Sequence, residues 1–258
     1  MTRHRHPEVA ALVLAAGVGK RMQSDLAKVL HEMAGRSLLA HVVETLDLLG
    51  VGRQIIVIGH QRERVREAFA HRDDLEWAVQ AEQRGTGHAC MMADNALAEF
   101  AGTLLVVCGD TPLLTATTLH QLLETHAASW ASVTVLSMRL PDPTGYGRIV
   151  RAADGVGIER IVEEKDTNVD QKAIDEVNSG IYAFHYPALV SVLGRLTSNN
   201  SQGEYYLTDT VSLMQAQGLK AAVQCAEDHR ELLGINTPDQ LAEAEVAWRA
   251  LELRGGHA

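Results

Sequence analysis

The chain has 258 residues, 46% of them hydrophobic and 22% charged, which supplies a sizeable core for one large domain or two small ones. A formal charge of -10 excludes a nucleic-acid surface, because counterion release needs clustered lysines and arginines, and no uncharged apolar run approaches the roughly 18 residues of a membrane helix. Cys90, Cys108 and Cys225 are odd in number and widely separated, so neither a disulfide framework nor a cysteine zinc site is expected, and the predicted compartment is the cytoplasm.

The first apolar run, 10–14, reads as a buried strand that feeds a glycine-bearing loop. A helical pattern over 38–49 follows, then a strand over 54–58, a helix over 61–70, a strand over 77–80, a helix over 89–97 and a strand over 103–107. Strands of continuous hydrophobicity alternating with helices predict a parallel sheet covered on both faces, hence an α/β fold. From about Pro141 the chain turns glycine-rich and polar, with short strands expected at 147–150, 158–162 and 181–184 and a substrate-covering lobe among them. No Pro/Ser-rich linker divides the halves, so a single domain over 1–254 is expected, with a tail over 255–258. The last helix is marked by Thr237 as N-cap, Pro238 at its first position and Gln240 placed for a capping box, with Leu241, Ala244, Trp248 and Leu251 on one face.

The chemistry starts where the first strand ends, at Leu14-Ala15-Ala16-Gly17-Val18-Gly19-Lys20-Arg21-Met22, with Lys28 a short distance on. Small residues at the carboxyl edge of a parallel strand let backbone N–H groups approach a ligand, and nearby cations then meet phosphates. By itself the pattern is weak, because it matches neither the dinucleotide fingerprint nor the P-loop, and a solvated loop reads equally well. The 12 histidines stand singly and none is assigned to a metal.

Further motifs narrow the choice. They are Gln80-Ala81-Glu82-Gln83-Arg84-Gly85-Thr86-Gly87-His88-Ala89, Gly109-Asp110 with Pro112, Tyr146-Gly147-Arg148-Ile149, Val162-Glu163-Glu164-Lys165-Asp166, Glu176-Val177-Asn178-Ser179-Gly180, the stretch 199–209, and Gly234-Ile235-Asn236. With the glycine loop, they resemble in one order the sugar nucleotidyltransferases, and within them the uridyltransferase half of the bacterial bifunctional N-acetylglucosamine-1-phosphate uridyltransferase/glucosamine-1-phosphate acetyltransferases. The resemblance runs from about Val9 to Arg249. It implies a Rossmann-like nucleotidyltransferase fold, with a mixed, mostly parallel sheet flanked by helices and a small sugar-binding subdomain within about 141–236. It also implies magnesium-dependent transfer of UMP from UTP to a sugar 1-phosphate, N-acetylglucosamine 1-phosphate first, with release of pyrophosphate.

Residue by residue, the resemblance makes Leu14, Ala15, Ala16 and Gly17 the backbone segment that contacts uridine, Gln80, Gly85 and Thr86 the positions at the uracil edge, and Gly109 a further nucleotide contact. A glutamine amide donates and accepts at once, which suits an imide edge. Arg21 and Lys28 match the phosphate-binding cations and are the expected catalytic residues, Lys28 also binding the nucleotide. Asp110 and Asn236 match the oxygen ligands of Mg2+, a set that suits a small hard cation keeping much of its water. Gly147, Glu163 and Asn178 match the positions that hold the amino sugar.

The chain departs from the pattern at Val18 and Lys20, which replace a lysine and a threonine common in the glycine loop, and at Cys108, where a tyrosine is common. No hexapeptide repeats follow Arg249, so acetyl transfer is not expected and a trimer is not inferred. The expected partners are therefore UTP and a sugar 1-phosphate, with no nucleic acid, no membrane and no assigned oligomeric partner. Nucleotidyl transfer to another sugar 1-phosphate, such as glucose 1-phosphate, and a non-catalytic module that binds a nucleotide sugar are the alternatives.

Overall fold

The computed structural model describes residues 6–252. The first residues of the expected 1–254 domain, its last two, the tail over 255–258 and the side chain of Leu251 lie outside the described residues. In chain order the strands and α-helices are β1 (His6–Ala15), β2 (Glu32–Met33), β3 (Arg36–Ser37), α1 (Leu38–Leu49), β4 (Val51–Ile58), α2 (Arg62–Ala68), β5 (Leu75–Val79), α3 (Thr86–Met91), β6 (Thr103–Cys108) and α4 (Ala116–Ser129). They continue with β7 (Val133–Arg139), β8 (Arg148–Arg151), β9 (Ile158–Val162), α5 (Val169–Lys172), β10 (Glu176–His185), α6 (Tyr186–Leu193), α7 (Asp209–Gln215), β11 (Ala221–Cys225) and α8 (Pro238–Glu252).

A 9-stranded sheet runs β11-β7-β10-β6-β1-β4-β5, with the β8–β9 hairpin branching from β10. The β6-β1-β4-β5 segment is parallel, β10 lies antiparallel between β6 and β7, and β11 is parallel to β7. The fold is α/β with a mixed, mostly parallel sheet, as expected. The continuous hydrophobicity of β1 follows from burial on both sides. Ala11 and Val13 join a core with Leu39, Val42 and Leu46 of α1 and Leu119 and Leu122 of α4. Ala10 and Leu12 join the opposite core with Ala89 of α3, Leu189 of α6 and Val211 of α7.

Two strands of the sheet, β7 and β11, and the helix α4 are absent from the sequence reading, although β7 is buried at all but its last residue. The helix expected at 89–97 begins at Thr86 and ends at Met91. Its start is set by Gly85 at φ 102 and by the Gly87 N–H, which donates to Tyr205 O at 2.8 Å. Further along, the chain continues as tight turns such as Cys90 O to Ala93 N. The helix α8 is capped as expected on one side, since Gln240 N donates to Thr237 Oγ1 at 3.2 Å. The reciprocal bond falls one residue earlier, with Gln240 Oε1 accepting from Asn236 N at 2.8 Å.

Candidate active site

The site grows from the carboxyl edge of β1 and β6, where Leu14 pairs with Cys108. Beyond β1 the chain must pass close to Lys28, and Gly19 permits it: at φ +67 a side chain is strained, and a Cβ there would meet Lys28 Cβ at 2.5 Å. Arg21 follows on a 3-10 turn, Lys20–Met22, exposed beside the buried Met22.

A cavity of about 260 Å³ opens at this edge, lined by Leu14, Ala15, Ala16, Gly17, Lys28, Gln80, Gly85, Thr86 and Asp110 among others. Gln80 is buried, and its Nε2 donates to Gly85 O at 3.0 Å and meets His88 Nδ1 at 3.1 Å. These bonds occupy the amide nitrogen and leave the carbonyl oxygen to accept from a ligand. Thr86 Oγ1 accepts from Leu207 N at 3.1 Å, and Tyr205 N donates to Arg84 O at 2.8 Å, so the 199–209 stretch is stitched to the 80–89 loop. A Cβ on Gly85 would lie 2.5 Å from Tyr205 O, which is why that seam takes glycine.

A second cavity of about 210 Å³ shares Leu14, Thr86 and Cys108 with the first, and it contains Gly147, Glu163 and Asn178. The β8–β9 hairpin brings Gly147 and Glu163 to one end, and Asn178 N donates to Gly147 O at 2.8 Å. Glu163 Oε1 accepts from Thr208 Oγ1 at 2.9 Å. Burial pushes the Glu163 carboxyl above the usual range; the Thr208 bond opposes this, and Asp209, Asp166 and Glu204 add to it. The Asn178 amide is fixed at both ends, donating to Tyr182 OH at 2.7 Å and accepting from Gly180 N at 3.1 Å. A Cβ at Gly147 would meet Ile161 Cγ2 at 3.2 Å and reach Glu163 Oε2 at 3.4 Å, so glycine leaves the space beside the carboxylate unfilled.

Lys28 Nζ forms an ion pair with Asp110 Oδ2 and donates to Asn236 Oδ1 at 3.0 Å. The chain brings these distant residues together through Ile235 N, which donates to Asp110 O at 2.9 Å. Asn236 is oriented by its own Nδ2, which donates to Gly234 O at 3.0 Å. Arg21 and Asn236 line neither cavity. Arg21 is electrostatically joined to the second one through Tyr146, whose phenol burial raises; Asp110 adds to that rise, while Arg21 and the Gly234 backbone oppose it.

Gly109 sits behind the cavities. It is buried, lines neither cavity and spends its N–H on Leu14 O at 3.0 Å. A Cβ there would sit 3.2 Å from Ala15 Cβ, so its smallness lets β1 and β6 close behind the site. Residues the sequence reading did not assign also line the cavities: Gln83 and Glu204 in the first, Tyr146 and Thr208 in the second, and Cys108 in both. Tyr146 and Glu204 lie inside motifs already quoted, so motif membership is the signal that could have found them. Burial, chiefly, pushes the Cys108 thiol up to about 12, which favours the neutral thiol at the partition.

Among the described residues no group of three or more His, Cys, Asp or Glu converges as a metal cluster. The Asp110 carboxylate and Asn236 amide oxygen nevertheless meet on one cation, the Lys28 ammonium. One anionic and one neutral oxygen fit a hard divalent ion whose remaining ligands are phosphate and water.

Residues 11–163 match the MobA-like NTP transferase domain family. The chain is also similar to proteins called bifunctional protein GlmU: 46% identical over 239 residues to that of Exiguobacterium sibiricum, covering 93% of this chain and 53% of that protein. For the Streptomyces griseus protein the figures are 50% over 240 residues, 91% and 49%, and for Heliobacterium modesticaldum 49% over 236 residues, 92% and 51%. The chain thus spans about half the length of the curated relatives it matches.

Proposed function

The chain belongs to the MobA-like NTP transferase domain family, and from that membership we propose that it transfers UMP from UTP to N-acetylglucosamine 1-phosphate, giving UDP-N-acetylglucosamine and pyrophosphate. The observation that carries this reading is the pair of cavities meeting at Leu14, Thr86 and Cys108, with Lys28, Asp110 and Asn236 gathered beside the junction. The first cavity takes the nucleotide, with uridine against Leu14 to Gly17 and the uracil edge at Gln80, Gly85 and Thr86. The second takes the amino sugar at Gly147, Glu163 and Asn178, which gives the 141–236 lobe its proposed role.

In the reaction a sugar phosphate oxygen forms a bond to the α-phosphorus of UTP while the bond from that phosphorus to the bridging oxygen of pyrophosphate breaks. The nucleophile is already ionised, so the protein supplies positioning and charge instead of a general base. Arg21 forks onto phosphate oxygens, and Lys28 follows the charge as a mobile cation. Asp110 and Asn236 would hold Mg2+, which would supply positive charge to offset the negative charge developing at the reacting phosphorus.

No helix among the described residues is long and apolar enough to cross a membrane, and the three cysteines are free. The free thiols suit a reducing compartment, the cytoplasm in this proposal. The test is incubation with magnesium and UTP beside N-acetylglucosamine 1-phosphate, glucose 1-phosphate or no acceptor, following pyrophosphate and the nucleotide sugar. Acceptor-dependent UDP-N-acetylglucosamine is expected. Faster product from glucose 1-phosphate would reassign the sugar, and pyrophosphate from neither would remove the activity.

A further inference from the structure

The Lys28 ammonium occupies the two oxygens, from Asp110 and Asn236, that the proposed function assigns to the metal. We propose that Lys28 is a displaceable counter-cation: it holds the metal position in the substrate-free protein and vacates it only when a metal arrives together with the triphosphate. This rests on the reading of Asp110 and Asn236 as metal ligands and adds to it an order of events.

The Asn236 oxygen is held independently of the lysine, and the backbone of Asp110 is tied to the same segment. Asn236 is fixed through its Nδ2 to Gly234 O at 3.0 Å and through its backbone N to Gln240 Oε1 at 2.8 Å. The segment that carries Asn236 is tied to Asp110 by the bond from Ile235 N to Asp110 O at 2.9 Å. Removing the ammonium therefore leaves the Asn236 oxygen and the main chain of Asp110 in place, with the Asp110 carboxylate free to meet another cation. The root of the Lys28 side chain is packed against the glycine loop, since a Cβ at Gly19 would meet Lys28 Cβ at 2.5 Å. Its base is thus pinned beside the phosphate-binding loop, while its four-carbon stem lets the charge choose between the carboxylate and a phosphate.

The Lys28 and Asp110 side chains are only 15% and 14% exposed, where water screens poorly. An ammonium and a divalent ion cannot share the same two oxygens at that range without strong repulsion. A metal arriving alone must expel Lys28 with no anion to receive it. A metal arriving with a triphosphate brings that anion, so Lys28 exchanges one partner for another. The device discourages metal from settling before the nucleotide.

The measurement is binding of Mn2+ alone to the nucleotide-free full chain, by electron paramagnetic resonance of the free ion. Wild type, Lys28→Met, Lys28→Gln, Asp110→Asn and the Lys28→Met, Asp110→Asn double variant are compared, each checked for folding by circular dichroism. Binding by Lys28→Met is expected to be tighter than wild type by on the order of tenfold, with the gain lost in the double variant; Lys28→Gln, with its polar head, is expected to gain as well and keeps the test open if the methionine variant does not fold. Equal or weaker binding by both single variants, with wild-type binding still removed by Asp110→Asn, would overturn the exchange and leave the metal site standing. Binding indifferent to Asp110→Asn in every background would overturn the metal site and the exchange with it.

Discussion

Glu163 carries a carboxylate in surroundings that disfavour charge, chiefly through burial, and its Thr208 hydrogen bond only partly compensates. If it accepts sugar hydroxyls as proposed, protonation removes an acceptor. The raised value then means that this loss begins at a higher pH than for an ordinary glutamate. The KM for the sugar phosphate is expected to climb as pH falls through that region, with the KM for UTP flat, and Glu163→Gln should lose the pH dependence. Glu163→Ala should raise the sugar phosphate KM on the order of tenfold to a hundredfold, the worth of a hydrogen bond to a charged group. Equal losses for both substrates would count against the assignment. Much at this scale was legible because glycines, acids and amides sit in ordered motifs. What was not legible is how the groups spend their bonds: Gln80 commits its nitrogen to Gly85 and His88, and Gly109 gives its N–H to Leu14. Leu14 lies on another strand, and even the partners of Gln80 within its own motif are fixed by how that loop folds, which spacing along the chain does not record.

The element that ties the chemical residues together is α8. Its Ala244, with Leu241, Ala247 and Trp248, packs in a small core with Met22, Leu113 and Ile235. Met22 and Ile235 adjoin Arg21 and Asn236 in sequence and Leu113 lies three residues beyond Asp110, so the helix helps set the spacing of the proposed cations and metal ligands. Gln240, by accepting from Asn236 N, extends the same hold to the backbone of the proposed ligand. Gln240→Ala should cost roughly 1 kcal/mol of stability and raise the magnesium concentration needed for half activity severalfold, with Gln240→Glu restoring both. A change in melting temperature with an unaltered magnesium requirement would make the cap purely structural. The start of α8 was readable from Thr237, Pro238 and Gln240, because capping is local. The strand β7 was not: Thr134 and Ser137 interrupt its apolar run, and its place beside β10 and β11 is fixed by contacts far apart in the chain. A second consequence of α4 packing on β7 concerns His126, which is buried against Thr134 Oγ1 at 2.9 Å. Burial first, and His185 second, lower its pKa from 6.5 to about 4. Below about pH 6.5 the unfolded chain binds this proton and the folded one does not, so stability falls progressively until about pH 4. The loss is roughly 2 kcal/mol after allowance for solvent that reaches the ring. Urea midpoints should therefore drop less for His126→Gln than for wild type between about pH 7 and about pH 5; parallel drops would mean that other groups carry the acid sensitivity.

At the scale of the whole molecule, a chain of net charge -10 gathers phosphate-seeking cations at one sheet edge. The mixed sheet explains how. Parallel strands β1 and β6 end together at the first cavity, and the antiparallel β10 with its β8–β9 hairpin sets the second cavity alongside. A nucleotide sugar long enough to fill both must pass the partition of Leu14, Thr86 and Cys108. The most direct measurement is a crystal structure of the chain with UDP-N-acetylglucosamine. Uracil should lie against Gln80, the diphosphate near Lys28 and Arg21, and the amino sugar against Glu163 and Asn178. A nucleotide sugar bound away from these cavities, or with uracil and sugar exchanged between them, would contradict the assignment.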